Sequence, residues 1–203
     1  FSFSIDDASV IGVDQFDGDT LMYLGNMSLN VDLMSVLAGD EIAIKSISLS
    51  DIVMNAIVLD DGMANWDISL DTSVAEEDVS SDDTSSSNFS MKLNSFSISN
   101  ASIAYDDRQS NIYTLIDGLD FDLSGDFTQD FTSLKTQTYI SGITVKMEGI
   151  SYLKNAKVDF NADIDADLIN SKYTFKENKF TINGLELGWD GWVAMSDDDI
   201  DLD

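Results

Sequence analysis

The stretch from residue 156 to 168 alternates strictly between apolar and polar side chains. Its apolar positions are Ala156, Val158, Phe160, Ala162, Ile164, Ala166 and Leu168, and Lys157, Asp159, Asn161, Asp163, Asp165 and Asp167 stand between them. A period of two predicts a β-strand with one apolar and one charged face. At ~3.3 Å per residue this strand extends roughly 40 Å, about twice the common length. We therefore expect partner strands of similar length and a broad sheet with one apolar face.

Similar alternation predicts strands along most of the chain. The segments are 1–5, 10–13, 21–33, 42–49, 52–59, 89–98, 102–105, 111–115, 119–123, 135–147, 172–175 and 180–182. The pair Asp6-Asp7 is interpreted as a break between two strands, and a change of parity at Lys45-Ser46 predicts a bulge. Residues 33–39 have helical spacing and end in Gly39, which predicts one short helix near residues 32–38.

Two places near the C-terminal end carry turn signals. Residues 176–179, Lys-Glu-Asn-Lys, are predicted to form a turn before the strand at 180–182. Asn183-Gly184 fits either a hairpin turn or a bulge. A hairpin would leave a strand of only three residues, so we favour a bulge in one longer strand.

Residues 71–88 interrupt the strand pattern with an acidic, Ser-rich segment that has almost no large apolar side chains. Such a segment cannot offset its own ordering entropy, which predicts a mobile loop, although a linker between domains is also possible. We favour a loop within a single domain spanning 1–203, because residues 46–52 align with residues 95–101 as variants of one unit. Phe1 opens directly on strand-like alternation, so we expect the chain to be a fragment of a longer one.

The net negative charge of the chain argues against nucleic acid binding. The 203 residues carry 10 Lys and Arg against 38 Asp and Glu, a formal net charge of −28, and Arg108 is the only arginine. Such a charge repels nucleic acid phosphates, and no basic cluster offsets it, so we expect no nucleic acid partner. A solvated outer face that keeps a β protein soluble explains the acidity.

The residue types needed for most catalytic and metal sites are missing. Cys and His are absent, which removes thiol nucleophiles, imidazole bases and almost every zinc site. The Asp159-x-Asn161-x-Asp163 run begins like a calcium loop, but Ile164 stands where the loop needs Gly. Acidic pairs such as Asp106-Asp107 are expected by number alone among 38 acidic residues. We therefore predict no enzyme activity, no catalytic residues, no metal and no cofactor.

Three tryptophans leave a different class of function open. Trp66, Trp189 and Trp192 are compatible with a sugar-stacking platform in a secreted carbohydrate-binding β-sandwich, although tryptophans in a β core more often serve packing. A purely structural β-sandwich is the other alternative.

A family resemblance becomes specific at residues 61–68, Asp-Gly-Met-Ala-Asn-Trp-Asp-Ile. A strand that ends in Asp-Gly and is followed by Ala-Asn-Trp-Asp resembles the hallmark of the AsmA family of Gram-negative envelope proteins. The family-motif residues are Gly62, Ala64, Asn65 and Trp66. Residues 16–21, 31–37 and 44–47 are similar to the N-terminal AsmA region, and residues 103–107, 150–155, 165–168 and 178–193 are similar to its continuation in longer members.

The resemblance implies a non-catalytic periplasmic protein, anchored to the inner membrane through a segment outside this fragment. It implies a role in outer-membrane assembly and phospholipid transport, similar to that of bridge-like lipid transfer proteins. The expected fold is all-β and mostly antiparallel, either a long curved sheet or an open or half-closed sandwich that forms an apolar groove. The expected partners are phospholipid acyl chains and the remaining β segments of the full-length chain.

We expect the groove to be lined from the stretch at 156–168 and from the region that follows it, with the acidic positions facing solvent. The candidate groove residues are Val158, Phe160, Ile164, Leu168, Ile182, Leu185, Leu187 and Trp189. What covers the apolar face, a lipid or a second sheet, stays open at this point.

Overall fold

The computed structural model describes residues 1–32, 34, 44–67, 93–125, 130–188, 190–196 and 199–202. These residues form eleven β-strands of a single sheet and a 3₁₀ turn at Asp14–Phe16. The first six strands are β1 (Ser2–Ile11), β2 (Thr20–Val31), β3 (Ile44–Val58), β4 (Ser95–Asp107), β5 (Ile112–Ser124) and β6 (Phe131–Met147). The others are β7 (Ile150–Asp167), β8 (Lys172–Ile182), β9 (Leu185–Leu187), β10 (Gly191–Ser196) and β11 (Asp199–Leu202).

The predicted all-β fold is confirmed, and its strands are as long as the alternation indicated. β6 has 17 residues and β7 has 18, because their partners continue the pairing along almost the whole length. Two predicted segments lie outside the described residues. These are the acidic loop at 71–88 and, apart from Asp32 and Met34, the short helix near 32–38.

The sheet is open, and its strands follow one another in chain order. The order is β1-β2-β3-β4-β5-β6-β7-β8-β10-β11, with β9 paired to β8. Neighbouring strands are antiparallel except for β3 and β4, which are parallel. Extensive contacts among the described elements join only strands that are neighbours in this order. The described part of the chain therefore contains no second sheet packed on the first.

The internal similarity between residues 46–52 and 95–101 is explained by the pairing of β3 with β4. Ser46 lies opposite Ser95, Leu49 opposite Ile98 and Ser50 opposite Ser99, so the two similar segments run side by side in register. Each segment thus presents its serines to one face of the sheet and its apolar residues to the other.

The side-chain alternation is interrupted once in each of seven neighbouring strands, along a line that steps by about two residues between β4 and β5 and between β6 and β7. We call this line the crease. Its members with positive φ are Asp7 (56°), Asp51 (55°), Asn100 (53°), Gly118 (60°) and Asn155 (50°), and Gly25 in β2 and Gly142 in β6 lie on the same line. Each interruption shifts the side-chain alternation by one residue. The register is kept from β1 to β4 and between β5 and β6, whereas β-bulges occur between β4 and β5 and between β6 and β7.

The crease keeps the apolar side chains of both halves of each strand on one face. Apolar residues on either side of it are therefore three positions apart instead of two. The pairs are Ile5 and Ala8, Leu24 and Met27, Leu49 and Ile52, Ile98 and Ala101, Ile116 and Leu119, Ile140 and Ile143, and Leu153 and Ala156.

Three local predictions are wrong and one is confirmed. Asp6-Asp7 does not separate two strands, because Asp7 is a crease residue within continuous β1. Residues 176–179 do not form a turn, because β8 continues through them with Glu177 and Asn178 together opposite Ala162. The predicted bulge is confirmed at Lys45, which is the extra residue between the pairs Asn30–Ser46 and Val31–Ile44.

The third wrong prediction concerns Asn183-Gly184, which forms a two-residue hairpin turn rather than a bulge. Ile182 pairs with Leu185 across this turn, and φ is positive at both Asn183 (48°) and Gly184 (85°). Positive φ at both central residues is the requirement of a tight hairpin whose twist matches its strands. The short strand β9 exists because β8 supplies its backbone partners.

Candidate functional site

Rows of paired apolar side chains run across the sheet on one side, which we call the apolar face. One row contains Ile5, Met27, Leu49, Ile98, Phe121, Thr138, Phe160 and Phe180. The row beside the crease contains Ala8, Leu24, Ile52, Ala101, Leu119, Ile140, Val158 and Ile182. At about 4.8 Å per strand, a row that crosses eight strands extends roughly 34 Å.

The apolar face is not covered by other described residues. Small side chains beside the crease are the most buried, with Ala156 0% and Ala101 1% exposed, whereas no large side chain among the described residues is fully buried. Toward the β1 edge the same face leaves Phe3 54% and Ile5 53% exposed. The larger side chains between these edges, such as Phe121 and Phe160, are half-buried. A contiguous apolar surface that stays partly open to solvent is typical of a binding surface.

The opposite face is polar and acidic. Serine and asparagine side chains bond to one another across β2, β3 and β4, for example Ser97 Oγ to Ser48 Oγ at 3.0 Å. Farther along the sheet, Lys135 pairs with Asp163 at 3.6 Å and Lys176 pairs with Asp165. The hydrogen bond from Lys176, aided by one from Ser133, holds the pKa of Asp165 below its ordinary value. This face is suited to water, and the two faces thus differ sharply in polarity.

The structure brings most of the predicted groove residues together on the apolar face. Val158, Phe160 and Ile164 project from β7, Ile182 lies opposite Val158 on β8, and Leu185 and Leu187 extend the same rows on β9. Leu168 lies in the turn after β7 and is 40% exposed. Trp189 is outside the described residues.

The family-motif residues form a loop that completes the pairing of β3 where β2 has ended. Gly62 adopts a φ of +85° in the turn that brings Ala64 opposite Val58. Asn65 is 2% exposed, and its side chain donates to the Asn55 carbonyl at 2.7 Å and accepts from the Ile57 N–H at 2.9 Å. The motif therefore has a structural role at this position.

Trp66 follows Asn65 and lies against β4. Its ring centroid is 6.3 Å from that of Tyr105, and the residue is 44% exposed. The Tyr105 hydroxyl donates to Asp107 at 3.2 Å, and partial burial together with this carboxylate raises the pKa of Tyr105.

Trp66 and Trp192, the two tryptophans in the described ranges, do not lie together in a single sugar-stacking platform. Trp66 contacts Tyr105 on β4, whereas Trp192 is on β10 beneath the Lys172 ammonium, 4.1 Å from its ring centroid. Five strand spacings separate β4 from β10, which is roughly 24 Å.

Sequence reasoning missed the crease, although the signal is present. In Ile98-Ser-Asn-Ala101 and Leu49-Ser-Asp-Ile52 two apolar residues stand three apart around a residue type that tolerates the left-handed region. The segments before and after Asp7, Asp51, Asn100 and Gly118 are predicted as separate strands, because the parity differs between them.

Among the described residues, no group of three or more Asp and Glu side chains is arranged to hold a metal ion. The absence of metal and catalysis stays a prediction. No helix in the described ranges has the length and apolar character needed to span a membrane.

Comparisons with known proteins give one match. Neither the curated proteins nor the solved structures searched contain a match to this chain. The family model described as "AsmA family" matches residues 3–175, far more than half of the chain and nearly all of the sheet from β1 to β8. This match agrees with the resemblance found at the Gly62-to-Trp66 loop, and the chain belongs to the AsmA family.

Proposed function

We propose that this chain is a non-catalytic envelope protein that holds phospholipid acyl chains along its apolar face. The observation that carries the proposal is the continuity of that face. The crease keeps it on one side of the sheet in both halves of seven strands, and no described element covers it. Membership of the AsmA family, whose members are envelope-associated, supports the same function.

Acyl chains suit this surface for a simple physical reason. Removing apolar area from water yields about 25 cal/mol per Å², or roughly 0.8 kcal/mol for each buried CH₂ group. Such binding has no directional requirement, so a continuous apolar path is sufficient. Because the side-chain alternation is interrupted at the crease in seven neighbouring strands, we infer that the groove runs along the crease, with the two halves of the sheet as its walls.

The location of the protein is also a proposal. An acidic outer face and an apolar inner face suit a periplasmic segment that passes lipid between membranes, anchored to the inner membrane by another part of the full-length chain. The remaining β segments of that chain would pair with the free edges of the sheet. Fractionation of cells expressing the full-length protein, with protease added to spheroplasts, tests this placement. Protection of the sheet from protease in intact spheroplasts would contradict it.

Native mass spectrometry of the full-length protein extracted from cells tests the lipid proposal. The wild type should carry co-purifying phospholipid. Ile164→Asp should carry much less, because Ile164 is flanked by Leu134 and Phe175 on the apolar face and a carboxylate there would meet the acyl chain.

Asp163→Ser is the matched control, since Asp163 is on the polar face of the same strand, where it pairs only with the exposed Lys135. Circular dichroism of both variants checks that the sheet remains folded. A wild-type protein without lipid, or equal lipid in both variants, would contradict the proposal.

A further inference from the structure

An open hollow of about 670 Å³ lies on the polar face, where the start of β6, the end of β7 and the start of β8 run side by side. The lining side chains that belong to this face are Phe131, Ser133, Asp165, Asp167, Lys172 and Thr174. Small-molecule sites commonly have volumes of about 300–1,000 Å³. The hollow is therefore large enough to hold a small molecule.

Phe131 is an aromatic residue among polar and charged neighbours. Asp167 lies opposite it on β7, and Lys172 lies opposite Asp167 on β8. Phe131 is 63% exposed, so most of its ring is not used in packing. An exposed ring beside a hollow offers a flat apolar surface on which a ligand can pack.

The two carboxylates in the hollow are held in place by neighbouring donors. Ser133 Oγ donates to Asp165 at 2.8 Å, and Lys176 pairs with the same carboxylate. Asp167 accepts a hydrogen bond from the Asn170 side chain at 2.7 Å. A carboxylate has about four acceptor positions, so each of the two can also accept hydrogen bonds from a ligand.

Positive and negative charges nearly balance around the hollow, although the whole chain has a net charge of −28. Lys176 pairs with Asp165. The hydrogen bond from Asn170 and, to a smaller extent, the charge of Lys172 lower the pKa of Asp167. An anionic ligand would be repelled by two carboxylates, and a cationic ligand would be repelled by two ammonium groups. An uncharged ligand that carries several hydrogen-bond donors fits this arrangement.

We propose that the hollow binds a neutral saccharide, with one sugar ring packed on Phe131 and its hydroxyl groups donating to Asp165 and Asp167. A sugar ring presents CH groups that pack on an aromatic ring, and its hydroxyl groups are donors for carboxylates. The Thr174 side chain supplies a further hydroxyl in the same hollow. Because the hollow is on the polar face, this inference does not depend on the lipid proposal for the apolar face.

Isothermal titration calorimetry of the full-length protein with two neutral trisaccharides, cellotriose and triacetylchitotriose, tests the inference. The wild type should bind at least one of them. Phe131→Ala should weaken this binding about tenfold, because the surface on which the sugar ring packs is lost. Thr174→Val keeps the shape of the side chain and removes its hydroxyl, and it should weaken binding about three- to tenfold.

Tyr139→Ala is the matched control for Phe131→Ala. Tyr139 is also an exposed aromatic residue, at 42%, on the same face of β6, but it lies outside the hollow. The two residues are roughly 26 Å apart along the strand, which is beyond the reach of one trisaccharide. Tyr139→Ala should therefore bind as the wild type does. Circular dichroism of the three variants checks that the sheet remains folded.

Three results would overturn the inference. The first is a wild type that binds neither trisaccharide. The second is an equal loss of binding in Phe131→Ala and Tyr139→Ala, which would place the sugar outside the hollow. The third is binding of trigalacturonic acid, which carries three carboxylates, as tightly as either neutral trisaccharide.

Discussion

Asn65 shows how one side chain can take the place of a strand. Its amide supplies an acceptor to Ile57 and a donor to Asn55, the same pair of groups that a backbone would offer at that edge of β3. Asp would supply the acceptor without the donor, and Gln would supply both groups but its extra methylene would move them outward. These two hydrogen bonds give a physical reason for the asparagine of the Asn-Trp dipeptide in the family motif.

We predict that Asn65→Ala destabilises the fold by about 2–4 kcal/mol, because it leaves two buried backbone groups without partners at 1–3 kcal/mol each. Urea unfolding followed by tryptophan fluorescence measures the change. Asn161→Ala is the control, since that amide bonds only to Asp159 on the exposed polar face and should cost far less. Equal losses in the two variants would show that the Asn65 bonds do not support β3.

Acid stability should depend on Asp165. Its folded-state pKa lies below the ordinary value of 3.8, so the folded protein binds fewer protons there than the unfolded chain does. The stabilisation is therefore present above about pH 4 and is lost as pH falls through the lower folded-state pKa. Asp165→Asn should be less stable than wild type at pH 6, and the difference should shrink below pH 3.8.

Lys176 provides the control for this pH dependence, because its hydrogen bond is the main cause of the lowered pKa. In a Lys176→Met background, Asp165→Asn should change stability less at pH 6. Unfolding curves at several pH values measure both effects. An unchanged Asp165→Asn effect in that background would assign the shift to Ser133 instead.

The strands show which features alternation predicts and which it does not. The period of two located most of 156–168 correctly, because β7 is paired on both sides from Val158 to Asp167. It failed at Asp7, where a left-handed residue shifts the parity, and at Glu177-Asn178, where an extra residue does so, although both positions lie inside continuous strands. A bulge and a strand end give the same local pattern, and only the partner strand distinguishes them.

The uninterrupted alternation of β7 also made part of the candidate site predictable from the sequence. Val158, Phe160 and Ile164 share one parity with no interruption, so their common face followed from the sequence. The pairing of β3 with β4 in parallel, and hence the row that connects Leu49 to Phe121 through Ile98, depends on residues far apart in the chain.

The crease depends on close contact between neighbouring strands, and Gly118 is a position where this contact is tight and φ is also positive. Gly118 has a φ of +60°, and an added Cβ would lie 2.9 Å from Ser141 Cβ. We predict that Gly118→Ala costs roughly 2–4 kcal/mol, part from the left-handed backbone and part from this collision. Gly149→Ala has a similar φ of +78° with open space, so it should cost only about 1–2 kcal/mol.

Chemical denaturation of both variants measures the difference between them. Ser141→Gly combined with Gly118→Ala should recover the collision part of the loss. If Gly118→Ala and Gly149→Ala cost the same, the strands at the crease are free to separate and the crease does not fix the shape of the sheet.

Across the whole sheet, charge and apolar surface are separated by face. The net charge of −28 keeps copies of the chain apart, and the polar face carries most of the described ion pairs. This repulsion offsets the tendency of an uncovered apolar face and two free sheet edges to associate. Because the two faces differ in this way, a probe attached at chosen residues of one strand can distinguish the apolar face from the polar face.

A photoreactive side chain placed at neighbouring positions of one strand samples opposite faces of the sheet. Phe3, Phe121 and Phe160 belong to the apolar face, and the residues after them, Ser4, Asp122 and Asn161, belong to the polar face. In cells that express the full-length protein, we predict phospholipid adducts at the three phenylalanine positions and none at the three polar ones. Mass spectrometry of the purified protein after irradiation identifies the adducts.

β1 and β7 are roughly 29 Å apart, so adducts at both ends require a lipid path across the sheet. Adducts confined to Phe160 would indicate one local pocket instead, and adducts of equal yield on both faces would contradict a lipid path on the apolar face.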